Sequence, residues 1–205
     1  MNKNEKFIIT INREYGSGGH AVATELAKRL HVKLIDKQIL SAVAEKFNMT
    51  TEEAEQLEHH APSWWDDFSH FYEGFMSMHE YSVDARDITS RQLFTAQRVA
   101  MKDIADKESC VIVGRCAFDL FKDDPNCVKI FIHSPLEMRV KRIMERNHVS
   151  EGKARELIQD NDYTRQVYVK TFTGRDWYDA RNYDLTLDVG GKTIEETVDL
   201  LQKLM

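Results

Sequence analysis

The sequence predicts an α/β fold with a parallel five-stranded sheet, and two observations carry that prediction. Five short apolar runs alternate with helical patterns, and a glycine-rich turn joins the first run to a helix. Continuous apolar strands separated by helices are typical of a parallel sheet covered on both faces. The predicted strands are residues 7–11, 32–35, 110–113, 128–132 and 185–189.

The glycine-rich turn lies within residues 8–20, between the first predicted strand and its helix. Glycines let backbone amides converge, and the helix dipole adds positive potential, so the turn predicts a phosphate site. The expected phosphate-binding residues are Tyr15, Gly16, Ser17, Gly18, Gly19 and His20. The turn differs from the P-loop pattern G-x-x-x-x-G-K-[ST], because Gly19 stands at the lysine and His20 and Ala21 follow it.

Capping signals mark the starts of several helices. Ser134 before Pro135, with Glu137 following, predicts an N-cap serine and a proline at the first helical position. Similar signals stand at Thr50, Ser150 and Thr193.

A long segment, residues 37–108, separates the second and third predicted strands. It is too long for a simple crossover, and its last part, residues 84–106, has the spacing of a long helix. We interpret the segment as a helical insertion over one end of the sheet. Ligands of open parallel sheets bind beyond the carboxyl ends of the strands, where such an insertion could close over them.

Charged side chains follow the predicted strands. Arg13 follows the first strand, Asp36 the second and Arg115 the third. Because these strand ends share one edge of the sheet, they favour a cleft for phosphate and metal. The alternatives are a helix-capping role for Asp36 and a structural ion pair for Arg115.

A series of arginines follows the fourth predicted strand. Arg139, Arg142 and Arg146 are spaced by three and four residues, which places them near one helical face, and Asp162 precedes Arg165 by one turn. Such a series can clamp phosphates through charged hydrogen bonds. The alternative is a solvated face that pairs with neighbouring glutamates.

The composition narrows the class of partner. The net charge of −6 over 205 residues disfavours a nucleic-acid-binding surface, which would be basic. Three cysteines without C-x-x-C spacing, after a polar start, predict reduced thiols in a cytoplasmic protein. No apolar run approaches the roughly 20 residues that a membrane span needs. Whether the chain forms a homo-oligomer stays open.

With these residues in view, the chain resembles the cytidylate kinase-like family of P-loop nucleoside monophosphate kinases. The resemblance covers nearly the whole length. The motifs that carry it are R-E-Y-G-S-G-G at 13–19, L-I-D-K at 34–37, V-I-V-G-R at 111–115, V-K-I-F-I at 128–132, the helix with Arg139 to Arg146, D-Y-T-R at 162–165 and N-Y-D-L at 182–185.

The resemblance implies a three-layer P-loop kinase fold, with a monophosphate-binding insertion at about 37–108 and a lid at about 139–182. It implies phosphoryl transfer from ATP to CMP or a related nucleoside monophosphate, with Mg²⁺. The catalytic residues would be Arg13, Asp36, Arg139, Arg142, Asp162 and Arg165. Asp36 and Arg115 would bind the acceptor, and Ser17 and Asp36 would serve the metal.

Two other hypotheses stand beside this one. The chain could be a nucleotide-binding sensor that keeps the fold without the chemistry, which the glycine at the lysine position favours. It could also be a kinase of another small acceptor. Retention of Arg13, Asp36, Arg115 and Arg165 favours an enzyme over a sensor.

Overall fold

A computed structural model describes residues 5–36, 94 and 97–205. Its elements are β1 (Ile8–Arg13), α1 (Gly19–Leu30), β2 (Lys33–Ile35), β3 (Cys110–Val113), α2 (Ala117–Leu120), β4 (Cys127–His133), α3 (Leu136–Asn147), α4 (Glu151–Thr173), a 3₁₀ turn (Ala180–Asn182), β5 (Leu185–Asp188) and α5 (Ile194–Leu204). Residues 97–105 are also helical. One compact unit comprises Met1–Asp36 with Ile104–Met205, and the other comprises Lys37–Asp103.

The five strands form one parallel sheet in the order β2-β3-β1-β4-β5. This confirms the predicted fold class. β1 lies at the centre and runs two residues further than its apolar run, because Asn12 and Arg13 continue the pairing with Phe131 and Ile132 of β4. The extension carries Arg13 to the carboxyl edge of the sheet.

Helices α1 and α5 cover one face of the sheet. Val22 and Leu26 of α1, and Val198 and Leu201 of α5, belong to the same buried cluster as alternate residues of β1. Burying each such side chain contributes about 1.5–3 kcal/mol relative to leaving it exposed. This packing fixes the start of α1, and with it the glycine-rich turn, at the end of β1.

Two predicted helix caps are confirmed. The Ser150 hydroxyl accepts from the Lys153 amide at the start of α4. Thr193 and Glu196 form a reciprocal capping box at the start of α5, in which each side chain accepts the other residue's amide.

The predicted cap at Ser134 is wrong. Helix α3 begins one residue later than predicted, with Pro135 at its N-cap and no side-chain cap bond. The Ser134 hydroxyl is buried and unpartnered among the described residues, whereas its amide donates to the Glu14 carboxylate at 3.2 Å. A contact from a distant part of the sequence therefore positions this residue in place of the local cap.

All three cysteines are buried, and none is joined to another in a disulfide. Burial raises the pKa of Cys110 and of Cys127 to about 12. Both thiols are therefore protonated at neutral pH and poorly suited to nucleophilic chemistry. Their burial and protonation agree with side chains that pack in the interior.

Several predictions fall outside the described residues. They are the first part of the insertion, the capping signal at Thr50 and the first part of the helix predicted over 84–106. Among the described helices, none has both the length and the apolar character needed to cross a membrane.

Candidate phosphate-binding site

The turn between β1 and α1 takes a backbone path that glycine favours. Gly16 has φ 78° and Gly18 has φ 89°, and Gly18 is the N-cap of α1. A side chain is disfavoured in this left-handed region. Gly16 also packs closely on α3, since a Cβ there would lie 3.1 Å from Ile143 Cγ1. The path brings consecutive amides to the start of a helix, the arrangement that binds anions.

Ser17 holds this turn together from within. Its hydroxyl donates to the Glu14 carbonyl at 2.8 Å and accepts from the Gly19 amide at 3.3 Å. The residue is 1% exposed. These bonds engage the hydroxyl inside the turn and give Ser17 a structural role there.

Three arginines bind the carbonyl oxygens of the turn. Arg139 and Arg142 come from α3, and Arg165 comes from α4. Arg165 donates to the Arg13 carbonyl at 3.0 Å, Arg139 to the Tyr15 carbonyl at 3.3 Å and Arg142 to the Gly16 carbonyl at 2.5 Å. The two helices therefore hold the turn through its carbonyl groups.

Tyr15 is anchored through its backbone and its ring. Its amide donates to Asp162 Oδ1 at 2.7 Å, and its hydroxyl accepts from Arg146 at 2.8 Å. The guanidinium carbons of Arg146 and Arg165 lie 5.2 and 5.5 Å from the ring centre, within cation–π range. The position of the turn is thus linked to both helices.

A buried group of charges lies behind the turn. Arg139 pairs with Asp162 at 2.5 Å and with Glu14 at 3.4 Å, and all three side chains are nearly buried. Glu14 also accepts from the Ser134 amide and the Tyr178 hydroxyl. Burial raises the pKa of Asp162, while the bonds from Tyr15 and Arg139 lower it in part.

These contacts show how two of the predicted site residues are bonded, and they identify one further residue of the buried group. Arg139 and Asp162 meet each other, as members of the buried group. Glu14 was not singled out from the sequence, although a carboxylate inside a glycine-rich turn was a usable signal. It links the turn to the start of α3.

We expect Asp162→Ala to destabilise the protein by about 3–5 kcal/mol, because it leaves Arg139 buried beside an incomplete set of partners. Urea unfolding measures the change. Asp160→Ala on the same helix is the matched control, since Asp160 is exposed. Equal midpoints for the two variants would contradict a structural role for Asp162.

Positive charge gathers at the carboxyl edge of the sheet. Burial and the charges of Arg165 and Arg115 lower the pKa of Arg13 to about 9, although the charge of Asp36 partly offsets them. Arg13 therefore stays protonated at neutral pH, with two further guanidinium groups near enough to repel it. Such a cluster beside a glycine-rich turn suits a polyanionic ligand.

Arg115 stands on a strained turn at the end of β3. Gly114, Arg115 and Cys116 all have left-handed φ, at 72°, 56° and 56°. The Ala117 amide closes the turn by donating to the Gly114 carbonyl at 3.0 Å. Strained backbone of this kind gathers at functional sites.

Asp36 follows β2 and is the acidic member of this edge. Its carboxylate lies 3.2 Å from His20 Nδ1, on the first turn of α1, and its side chain is 26% exposed. Mg²⁺ prefers carboxylate oxygens and is held mainly by phosphates and water with one or two carboxylates. Asp36 fits that requirement. The Ser17 hydroxyl, which donates one bond and accepts one within the turn, keeps one lone pair for a metal.

The model of the cytidylate kinase-like family matches residues 8–190. The chain belongs to that family. The cytidylate kinase of Methanosarcina barkeri is 25% identical over 197 residues, which cover 95% of this chain and 93% of that enzyme. The cytidylate kinase of Desulfurococcus amylolyticus is 25% identical over 108 residues, and that match spans 58% of its length.

Solved structures agree on the fold. An uncharacterized protein from Eubacterium ventriosum superposes with a TM-score of 0.70 at 27% identity, covering 97% of this chain and 98% of that one. A shikimate kinase from Bacteroides thetaiotaomicron superposes with a TM-score of 0.53 at 14% identity, covering 97% of each chain. The second likeness concerns the fold alone.

Proposed function

We propose that this member of the cytidylate kinase-like family transfers a phosphoryl group from ATP to CMP or a related nucleoside monophosphate. The observation that carries the proposal is the arrangement beside the glycine-rich turn: Arg165 donates to the Arg13 carbonyl, the Arg13 guanidinium reaches the Gly114–Arg115 strand end, and Asp36 lies against His20. Phosphoryl transfer depends on in-line positioning of the two substrates and on neutralising charge at the transferred group. The described residues offer groups for both tasks.

The donor phosphates would bind at the turn that leads into α1. The turn of residues 16–19 and the positive end of the helix dipole would receive them, although the Ser17 and Gly19 amides also donate within the turn, to the Glu14 carbonyl and the Ser17 hydroxyl. His20 stands on the first turn of that helix. The carbonyl bonds from α3 and α4 hold the turn so that its amides remain directed at the ligand.

The acceptor phosphate would bind at the ends of β2 and β3. Arg115 would pair with it, and Asp36 would contact the acceptor or hold Mg²⁺. Bound Mg²⁺ would offset the negative charge on the phosphates. Arg13 ends β1, which neighbours β3 in the sheet, so its side chain stands between the donor and acceptor sides.

The remaining predicted residues divide by their contacts. We assign Arg139 and Asp162 a positioning role, because they engage each other and the backbone of the turn. Arg142 holds the Gly16 carbonyl. Arg165 both holds the Arg13 carbonyl and adds charge beside the Arg13 guanidinium, so the catalytic role rests chiefly with Arg165, Arg13 and Asp36.

A coupled assay of ATP consumption tests the function. The enzyme would be given Mg²⁺ and a panel of nucleoside monophosphates, nucleosides and unrelated small acceptors, beside a separate measurement of ATP binding. The proposal expects consumption that depends on CMP or a related monophosphate. ATP binding without acceptor-dependent consumption would support the nucleotide sensor, which Gly19 at the lysine position favours.

We expect Arg115→Ala to weaken acceptor binding by about 2–5 kcal/mol, because it removes one partner of a desolvated charge pair. ATP affinity should change little. Calorimetry with each ligand separates the two effects, and Arg115→Lys, which keeps the charge, should lose less. Equal losses for ATP and the acceptor would assign Arg115 to the structure of the turn.

A further inference from the structure

Positions 13 and 19 compete for the same space. A Cβ built on Gly19 would lie 2.6 Å from the Cβ of Arg13 and 3.0 Å from its Cγ. Two carbon atoms do not approach so closely without a shift of backbone, because even the Cβ of residue 13 takes part in the overlap. On this backbone only one of the two positions can carry a side chain.

The side chain of Arg13 extends from that point across the edge of the sheet. A Cβ built on Gly114 would lie 2.5 Å from Arg13 Nη1. The guanidinium group therefore reaches the end of β3, beside Arg115. Glycines at 19 and 114 leave the space that the base and the tip of the Arg13 side chain occupy.

The P-loop pattern shows the opposite arrangement. When G-x-x-x-x-G-K is placed on residues 13–19, its first glycine falls on Arg13 and its lysine on Gly19. The pattern thus has a side chain at the last position and none at the first. This chain has a side chain at the first position and none at the last.

We propose that Arg13 supplies from the end of β1 the phosphate-binding cation that a P-loop lysine supplies from the start of the helix. Gly19 is then required by Arg13, and the missing lysine does not mark a lost activity. The inference rests on the proposed function, in that the turn binds the phosphates of ATP. A guanidinium group binds phosphate through a planar fork, whereas a lysine acts as a point charge.

The position of the Arg13 guanidinium also indicates which phosphate of the donor it would bind. Since the Arg13 guanidinium reaches Gly114, it lies nearer to Arg115 and the acceptor side than its backbone position suggests. It is therefore suited to the terminal phosphate of the donor, the group that faces the acceptor. A triphosphate should depend on Arg13 more strongly than a diphosphate does.

Four proteins test the inference: the parent, Arg13→Gly, Gly19→Lys and the double variant, which restores the full G-x-x-x-x-G-K pattern. The readouts are calorimetric affinity for ATP, ADP and inorganic triphosphate without acceptor, and the thermal melting temperature. Arg13→Gly should weaken ATP binding about 30-fold or more, which corresponds to the loss of a charge pair of at least about 2 kcal/mol. The loss for ADP should be smaller.

Gly19→Lys and the double variant test the inference more specifically. Gly19→Lys alone should lower the melting temperature and weaken ATP binding, because its Cβ overlaps that of Arg13. Adding Arg13→Gly to it should raise both the melting temperature and the affinity, although two substitutions are then present. Arg181→Ala is the matched control for loss of one arginine, since that side chain is 90% exposed.

Three results would overturn the inference. They are ATP affinity of Arg13→Gly equal to that of the parent, parental melting and affinity in Gly19→Lys, and a double variant no better than Gly19→Lys. Failure of the proposed function looks different. A parent that binds ATP and shows the rescue, but transfers to no acceptor, would keep the cation site and remove the kinase activity.

Discussion

Gly18→Val is expected to abolish ATP binding, with a loss of about 100-fold or more, because two effects act together. Gly18 has φ 89°, which a β-branched residue resists, so the turn would leave its present path. The added methyl groups would also stand near the converging amides. Calorimetry with ATP measures the loss, and thermal melting shows whether the variant folds.

Crowding on the protein side contributes little to this expectation. Among the described residues, a Cβ at Gly18 would meet only the Arg142 guanidinium, at an ordinary 3.5 Å. Gly152→Val is the matched control, because a Cβ at Gly152 meets no atom of the described part of the chain within 4 Å and its φ is not left-handed. Parental ATP affinity in a folded Gly18→Val protein would place the phosphate site elsewhere.

Arg165→Ala is expected to lower turnover by about 10²–10³-fold, at the lower end of what an arginine supplied to a transferring phosphoryl group is worth. Arg165 lies beside Arg13 and donates to its carbonyl. A guanidinium that strengthens its contact as charge moves in the transition state favours that state over bound substrates. ATP affinity should therefore fall far less than turnover.

The control for Arg165 lies on the same helix. Arg155 pairs on the surface with Glu137 and Glu151, so Arg155→Ala should keep parental turnover. Arg165→Lys should recover part of the rate. Equal losses of turnover and ATP affinity in Arg165→Ala would assign the residue to holding the turn, and parental turnover would remove it from the reaction.

The sheet was predictable because most of its strands contain a short apolar run. Residues 110–113, for example, form a continuous apolar run, and all four are buried in an interior strand. The sequence pattern predicted less well where each strand ends. Asn12 and Arg13 are polar, yet pairing with β4 extends β1 through both of them. Tertiary pairing, which sequence pattern does not report, sets that boundary.

Sequence spacing identified the arginines of α3 and α4 without separating their roles. Arg139 and Arg142 are equally plausible phosphate ligands in the sequence. The structure pairs Arg139 with buried carboxylates and sets Arg142 on a backbone carbonyl, because α3 packs directly on the turn. The helix cap predicted at Ser134 does not form for a similar reason, because Glu14 from the turn accepts a hydrogen bond from the Ser134 amide.

The exclusion between positions 13 and 19 could not be predicted either. From the sequence alone, Gly19 shows only that the P-loop lysine is absent, and that absence favours a nucleotide sensor without kinase activity. The distance between the two Cβ positions depends on how β1 ends and α1 begins, and it changes the interpretation of the same residue. A departure from a motif can be the consequence of a substitution elsewhere in that motif.

Transfer of label from ATP tests the central claim most directly. The protein would be incubated with Mg²⁺, ATP labelled in its γ-phosphate, and CMP or a related nucleoside monophosphate, and the products separated. We expect label in the corresponding nucleoside diphosphate, at a rate strongly reduced in Arg13→Gly and Arg165→Ala and unchanged in Arg155→Ala. Binding of ATP with no label in any nucleoside diphosphate would contradict the proposed function.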